Sequence, residues 1–149
     1  MDLVVLCDFD GTIVMVDTGI FVLNRFGHGD WKNLDTQYER GQITLEECIK
    51  KQFSRVVATR EEILVELDKA VTFRPNFEPL IRYCKKKAIP FVIVSAGLDF
   101  VIHHFLRQKE WEDLVETYTA KTQVTVNGID FIFPKLFDQT SVDFKQDQV

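Results

Sequence analysis

The chain has 149 residues, of which 46% are hydrophobic and 28% charged, a balance typical of one folded globular domain and not of a disordered or collagen-like chain. Eighteen Lys and Arg stand against 23 Asp and Glu, giving a formal net charge of −5, which argues against binding to a nucleic-acid backbone. Its apolar runs are far shorter than the roughly 20 residues of a membrane-spanning helix, so we expect neither a nucleic-acid partner nor a membrane.

The first predicted element is a strand over residues 3–7, a continuous apolar run without alternation. Such a run indicates a strand buried on both faces of a parallel sheet. From about residue 19 to 71 the apolar spacing becomes helical. Thr44 and Thr59 each stand three residues before a Glu, the capping-box pattern that opens a helix.

The second half of the chain returns to strands. A helix is predicted over residues 76–87, a second buried strand over 89–94, a helix over 100–108 and a third strand over 115–120. Residues 124–133 alternate around Asn127-Gly128, which predicts a β-hairpin with a type I′ turn.

This order of elements predicts an α/β fold with a doubly wound, Rossmann-like parallel sheet and an inserted helical cap. The predicted core comprises residues 1–14 and 75–149, and the predicted cap comprises residues 15–74.

Three polar side chains follow the predicted buried strands. Asp8 and Asp10 end the first strand and Ser95 ends the second, and in an open parallel sheet the ligand crevice lies at these carboxyl ends. An Asp-x-Asp pair at a strand end is often only a turn with a helix cap. Alternatively, the two carboxylates lie on one face and hold a divalent cation, for which Mg²⁺ is the best match. Thr12 would then offer its hydroxyl or N–H group to an oxyanion.

Residues 8–12 (Asp-Phe-Asp-Gly-Thr), directly after an apolar strand, resemble the first signature motif of the haloacid dehalogenase superfamily. The resemblance implies an Mg²⁺-dependent phosphatase that acts on a small-molecule phosphomonoester through an aspartyl-phosphate. Asp8 would be the nucleophile. Asp10 would be the general acid and base, and both aspartates would bind the metal, Asp10 through its carbonyl.

Two further motifs of the superfamily are implied by the same resemblance. Ser95 would bind the transferring phosphoryl group with its hydroxyl, and the backbone N–H groups that follow it, beginning at Ala96, would add to the oxyanion site. Lys145 would neutralise the charges of nucleophile and phosphate. Taken alone, Ser95 reads as a helix cap and Lys145 as a solvated surface residue.

Residues 40–47 and 95–100 resemble the phosphoserine-phosphatase-like branch of the superfamily. Asp17 stands where this branch has a cap carboxylate, and Gln52 stands where it has an arginine that grips the substrate carboxylate. Because Gln lacks the charged fork of Arg, phosphoserine is one candidate substrate and the methylthio-ketopentenyl phosphate of a related phosphatase is another.

The superfamily's fourth motif, an acidic sequence about twenty residues beyond the motif lysine, is not found after Lys145 in these 149 residues. Two explanations stay open: the sequence is a fragment, or the protein folds on a sheet that is incomplete at its C-terminal side. For a stable incomplete sheet we expect another chain to cover the exposed edge, as in a homo-oligomer. An alternative function follows, a weak or inactive module that binds phosphate or self-associates.

The cysteines and the N-terminus bear on location. Cys7, Cys48 and Cys84 form no close-spaced pair, and an odd number favours reduced thiols over a disulfide framework. The acidic Met1-Asp2 start has no basic region of the kind that opens a signal peptide. We therefore expect a cytoplasmic protein.

Overall fold

A computed structural model describes residues 2–134 of the chain. None of the helices in that range is long and apolar enough to cross a membrane. The elements are, in chain order, β1 (Val5–Cys7), α1 (Thr18–Phe26), α2 (Asn33–Glu39), α3 (Leu45–Phe53), α4 (Arg60–Ala70), α5 (Phe77–Lys86), β2 (Phe91–Ser95), α6 (Asp99–Gln108), a 3₁₀ turn (Glu112–Leu114), β3 (Glu116–Thr119), β4 (Lys121–Thr125) and β5 (Gly128–Ile132).

Three strands form the parallel sheet that the sequence predicts, in the order β1-β2-β3. All five residues of β2 are buried, as expected for a central strand between two parallel neighbours. The prediction that the first strand is buried on both faces is wrong, because Leu3 is 58% exposed and Leu6 is 47% exposed. These side chains are exposed because β1 is at the edge of the sheet, with β2 as its one strand neighbour among the described residues.

The helix starts predicted from capping patterns are confirmed. Thr44 is the N-cap residue of α3 and Thr59 is the N-cap residue of α4, and each forms a complete capping box with the Glu three residues later. In both boxes the threonine hydroxyl accepts the glutamate N–H and the glutamate carboxylate accepts the threonine N–H. These reciprocal bonds satisfy donors that a helix otherwise leaves unpaired.

The chain segments that enter and leave the helical insertion run side by side. The Met15 N–H donates to the Thr72 carbonyl and the Arg74 N–H donates to the Ile13 carbonyl, each at 2.8 Å. The pairing lies next to the predicted boundaries between core and cap, and that division itself stays a prediction.

The predicted β-hairpin is confirmed, with β4 antiparallel to β5, but its predicted type I′ turn is wrong. Thr125 pairs with Gly128, so Val126 and Asn127 are the central residues. Neither has the positive φ that type I′ requires. The positive φ, +117°, is at Gly128 instead. Glycine is also needed there because a Cβ would lie 2.5 Å from the carbonyl oxygen of Ser54.

The hairpin packs against the end of α3 through this close backbone approach and through a pair of rings. The Phe53 and Phe131 ring centroids are 5.1 Å apart. Because Phe53 also faces the candidate site described below, the hairpin holds one wall of that site in place.

Replacing Gly128 with Ala should lower the free energy of unfolding by about 3 kcal/mol, since the new Cβ meets both an unfavourable φ and the Ser54 backbone. Gly41→Ala is the matched control, because Gly41 has φ +69° and nothing within 4 Å of an added Cβ. We expect about 1 kcal/mol there. Urea titrations of both variants measure the difference, and equal losses would contradict the packing argument.

Candidate active site

The candidate site is a cavity of about 220 Å³ at the carboxyl ends of β1 and β2. In the sheet register Cys7 pairs with Ile93, so the residue after β1 and the last residue of β2 come close together. We call this space the site cavity. Its lining consists of three carboxylates, the turn after β2 and apolar side chains of α1 and α3, namely Asp8, Asp10, Asp17, Gly19, Ile20, Leu23, Ile49, Phe53, Ser95, Ala96 and Gly97.

Asp8 and Asp10 both line the site cavity, while Phe9 between them is fully buried. This alternation is what an extended segment produces. The chain then turns at Gly11, whose φ is +69°. Thr12 is not among the residues that line the cavity; its N–H donates to the Phe9 carbonyl at 3.2 Å.

The exposed Arg74 fixes this turn from outside. Its Nε donates to the Thr12 carbonyl at 2.8 Å, and its Nη2 donates to the Gly11 carbonyl at 3.0 Å. The planar guanidinium suits two adjacent carbonyl groups. Arg74 lies on the outgoing side of the helical insertion, so the carboxylate turn is tied to both connecting segments.

Asp10 is held by the first residue of α1. The backbone N–H of Thr18 donates to Asp10 Oδ1 at 2.8 Å, and the Thr18 hydroxyl donates to the same oxygen at 2.6 Å. Burial raises the pKa of the Asp10 carboxyl above its usual value; the Thr18 bonds oppose this shift, while the charges of Asp17 and Asp8 add to it. A carboxyl with a raised pKa is suited to general acid catalysis near neutral pH.

Gly97 gives Asp10 and Ser95 room to approach each other. A Cβ at residue 97 would lie 2.8 Å from Asp10 Oδ2 and 3.2 Å from Ser95 Oγ. Ser95 is 1% exposed, and its hydroxyl oxygen accepts the Gly97 N–H at 3.0 Å. The predicted nucleophile, acid and phosphate-binding hydroxyl therefore surround one small space, together with Ala96.

The predicted cap residues differ in placement. Asp17 lines the site cavity and also caps α1 by accepting the Ile20 N–H at 2.8 Å. Gln52 is 6% exposed and does not line the cavity; its Nε2 donates to Asp35 Oδ1 at 2.8 Å and to the Trp31 carbonyl. Lys145 lies outside the described residues, so its predicted contact with phosphate stays a prediction.

Sequence reasoning missed the apolar wall of the site cavity, which is formed by Ile20, Leu23, Ile49 and Phe53. Ile20 is 51% exposed, which is unusual for a residue on the apolar face of a helix unless that face borders a cleft. Ile49 and Phe53 are four residues apart and so share one face of α3. That spacing was the available signal, but it does not distinguish a cavity wall from ordinary core packing.

The carboxylates fit the metal that the sequence motif implies. Asp8 and Asp10 are within one cavity, and oxygen ligands are those that Mg²⁺ prefers. Within residues 2–134 no cluster of three or more His, Cys, Asp or Glu side chains could hold a metal ion. The Asp8 carboxylate and the Asp10 carbonyl that the motif implies would be sufficient for Mg²⁺, because this ion commonly keeps water and substrate phosphate as its remaining ligands.

Curated proteins similar to this chain include phosphatases and a protein named for a binding partner. A 2-hydroxy-3-keto-5-methylthiopentenyl-1-phosphate phosphatase of Brevibacillus brevis is 29% identical over 138 residues, covering 92% of this chain and 62% of that protein. The same-named phosphatase of Geobacillus thermodenitrificans is 32% identical over 87% of this chain and 55% of its own length. Pdp3-interacting factor 1 of Schizosaccharomyces pombe is 32% identical over 85% of this chain and 57% of its own. The chain thus spans little more than half the length of these relatives.

Solved structures show the same fold at lower identity. A haloacid dehalogenase family hydrolase from Salmonella enterica serovar Typhi gives a TM-score of 0.68 at 14% identity, covering 85% of this chain and 43% of that one. A substrate-bound phosphoserine phosphatase gives 0.65 at 17% identity, with 88% and 63% covered. Both support the predicted α/β architecture.

The family comparison covers nearly all of the described chain. The model of the haloacid dehalogenase-like hydrolases matches residues 5–134, a range that contains β1, the carboxylate turn, the helical insertion and the Ser95 turn. The chain therefore belongs to the haloacid dehalogenase-like hydrolase family.

Proposed function

We propose that this chain is an Mg²⁺-dependent phosphatase that hydrolyses a small-molecule phosphomonoester through an aspartyl-phosphate on Asp8. The observation that supports this most directly is the arrangement of the site cavity, which brings Asp8, Asp10 and Ser95 together at the ends of two parallel strands. The relatives named as phosphatases are 29% and 32% identical to this chain over most of its length.

Each side chain has a role in the proposed reaction. The exposed Asp8 carboxylate attacks phosphorus, and the P–O bond to the leaving alcohol breaks as the Asp8–phosphorus bond forms. Asp10 gives its proton to the leaving oxygen and then accepts a proton from the water that attacks the aspartyl-phosphate. This attack breaks the bond between phosphorus and the Asp8 oxygen, which releases inorganic phosphate and restores the Asp8 carboxylate. The Ser95 hydroxyl and the backbone N–H groups from Ala96 onward bind the phosphoryl oxygens. Bound Mg²⁺ would neutralise part of the phosphate charge.

The apolar wall suggests which leaving groups fit. Ile20, Leu23, Ile49 and Phe53 face the cavity, whereas no Lys or Arg of residues 2–134 is among its lining residues. Among the residues that the structure describes, a leaving group with a carboxylate would meet the negative charge of Asp17 and no lysine or arginine of the cavity lining. We therefore propose a substrate with an uncharged, largely apolar leaving group. The methylthio group in the name of the relatives' substrate is of that kind.

The exposed edge of β1 supports the further proposal of a homo-oligomer. Leu3, Val4 and Leu6 are each about half exposed, and within residues 2–134 β1 has a strand on one side only. An open apolar edge of this kind favours strand pairing with another molecule. We propose that β1 of a second copy of this chain covers it.

The free thiols of all three cysteines are consistent with the proposed cytoplasmic location.

Asp8→Asn should abolish Mg²⁺-dependent hydrolysis of p-nitrophenyl phosphate, with a loss of at least about a thousandfold in kcat, because the amide is no longer a nucleophile. Chelation with EDTA should remove wild-type activity and added Mg²⁺ should restore it. Acid quenching followed by mass spectrometry should place one phosphoryl group on residue 8 of the wild-type chain.

The control is Asp113→Asn, an exposed carboxylate away from the site cavity, which should retain activity. Turnover that survives Asp8→Asn would refute the mechanism. No turnover by wild type or variant would favour the alternative function, and calorimetry with inorganic phosphate would then show whether the module binds phosphate.

The leaving-group proposal predicts a higher kcat/KM for butyl phosphate than for phosphoserine. Ile49→Arg should shift the ratio of the two values toward phosphoserine by about tenfold, since it replaces part of the apolar wall with a cation that can pair with the substrate carboxylate. Val65→Arg is the matched control, because Val65 is 53% exposed on α4 and does not line the cavity. A wild-type preference for phosphoserine would rule out this substrate class.

Edge pairing predicts that the wild-type chain sediments as a dimer or larger species. Leu6→Lys should shift it toward monomer, because a charge on the edge strand opposes pairing with a second copy. Val57→Lys provides the control at a residue that is 60% exposed and outside β1. A well-dispersed wild-type monomer in light scattering would contradict the oligomer.

A further inference from the structure

We infer that Thr18 is a positioning residue, which orients the Asp10 carboxyl so that Oδ2 faces the reacting phosphate and leaving group. This inference rests on the proposed function, because that function makes Asp10 the acid and base. Thr18 itself does not line the site cavity, so it acts through Asp10 and not on the substrate.

The first step of the argument is that both Thr18 donors converge on one oxygen. Thr18 N and Oγ1 lie 2.8 Å and 2.6 Å from Asp10 Oδ1. Two hydrogen bonds occupy the lone pairs of Oδ1. Oδ2 is therefore the oxygen that remains to exchange a proton with the leaving group or with water in the proposed reaction.

The second step is the direction of Oδ2. A Cβ built on Gly97 would lie 2.8 Å from Asp10 Oδ2 and 3.2 Å from Ser95 Oγ. Oδ2 and the predicted phosphate-binding hydroxyl thus border the same spot beside Gly97. With the phosphoryl group bound at Ser95 as proposed, Oδ2 faces that group, whereas a freely rotating carboxyl would present this oxygen to it only part of the time.

The third step is that the Thr18 hydroxyl has no competing structural role. Asp17 already caps α1, because its side chain accepts the Ile20 N–H. Thr18 is 0% exposed, and a buried hydroxyl is costly unless it is hydrogen-bonded. Valine would fill the same space without that cost, so the hydroxyl matters for its bond to Asp10.

The test compares two leaving groups that differ in their need for an acid. p-Nitrophenolate leaves without being protonated, whereas an alkoxide must be protonated as it leaves. We compare kcat/KM for butyl phosphate and for p-nitrophenyl phosphate, since this constant reports the steps through release of the alcohol. Thr18→Val should lower the butyl phosphate value at least about tenfold more than the p-nitrophenyl phosphate value. Thr18→Ser, which keeps the hydroxyl, should restore the wild-type ratio.

Thr36→Val is the matched control, because Thr36 is on α2 and outside the site cavity; its ratio should equal that of wild type. If Thr18→Val does not fold, Thr18→Ala removes the hydroxyl without filling the space and should show the same change of ratio. Equal losses on both substrates, or no loss, would overturn the inference while leaving the proposed phosphatase intact.

Absence of wild-type turnover would count against the proposed function, and crystal structures then decide the inference. We expect Asp10 Oδ1 to face Thr18 in wild type and in Thr18→Ser, and the carboxyl to be rotated in Thr18→Val. The same carboxyl orientation in all three structures would overturn the positioning role.

Discussion

The structure depends on one electrostatic constraint, the closeness of several carboxylates at the end of a short parallel strand. Asp8, Asp10 and Asp17 share one cavity, where burial and neighbouring negative charge both disfavour ionised Asp10. The fold meets this cost locally, because two donors from Thr18 converge on one Asp10 oxygen. The cation and the proton transfer that we propose for this site would both relieve the charge that remains.

The turn that carries these carboxylates is fixed to the rest of the structure by contacts on two sides. Phe9 is fully buried between the two aspartates, and Arg74 binds the carbonyl groups of the next two residues from the far end of the helical insertion. The turn is thereby anchored by apolar packing on one side and by a charged fork on the other. Such support limits how far the Asp10 carboxyl can shift, as its proposed role as an acid requires.

Much of the fold was predictable because its signals are local. The two capping boxes at Thr44 and Thr59 and the buried run of β2 each depend on a few neighbouring residues. The exposure of β1 was not predictable in this way, since burial of an apolar run depends on which strands flank it. The hairpin turn was misassigned because Gly128 serves a long-range contact with Ser54, which no dipeptide rule can express.

Among the site residues, too, those identified by local sequence were predictable and those that matter through contacts distant in sequence were not. The motif residues Asp8, Asp10 and Ser95 could be found from the sequence because strand ends and spacing place them. Thr18 and Gly97 could not, because their importance lies in distances to Asp10 across eight and eighty-seven residues of chain. Gln52 illustrates the opposite case: alignment position suggested a substrate contact, whereas the side chain bonds to Asp35.

The side-by-side course of the segments at Met15 and Thr72 has a consequence for how such a protein can diversify. Because the two ends of the inserted helices leave the sheet as neighbours, their separation is set by the sheet and not by what is inserted. Helices after α1 could be exchanged there while these two segments stay side by side, whereas α1 must keep Thr18 to hold the Asp10 carboxyl. Under the proposed function, the wall that would select a leaving group and the turn that would carry the reaction could therefore change separately everywhere except at α1, which contributes to both.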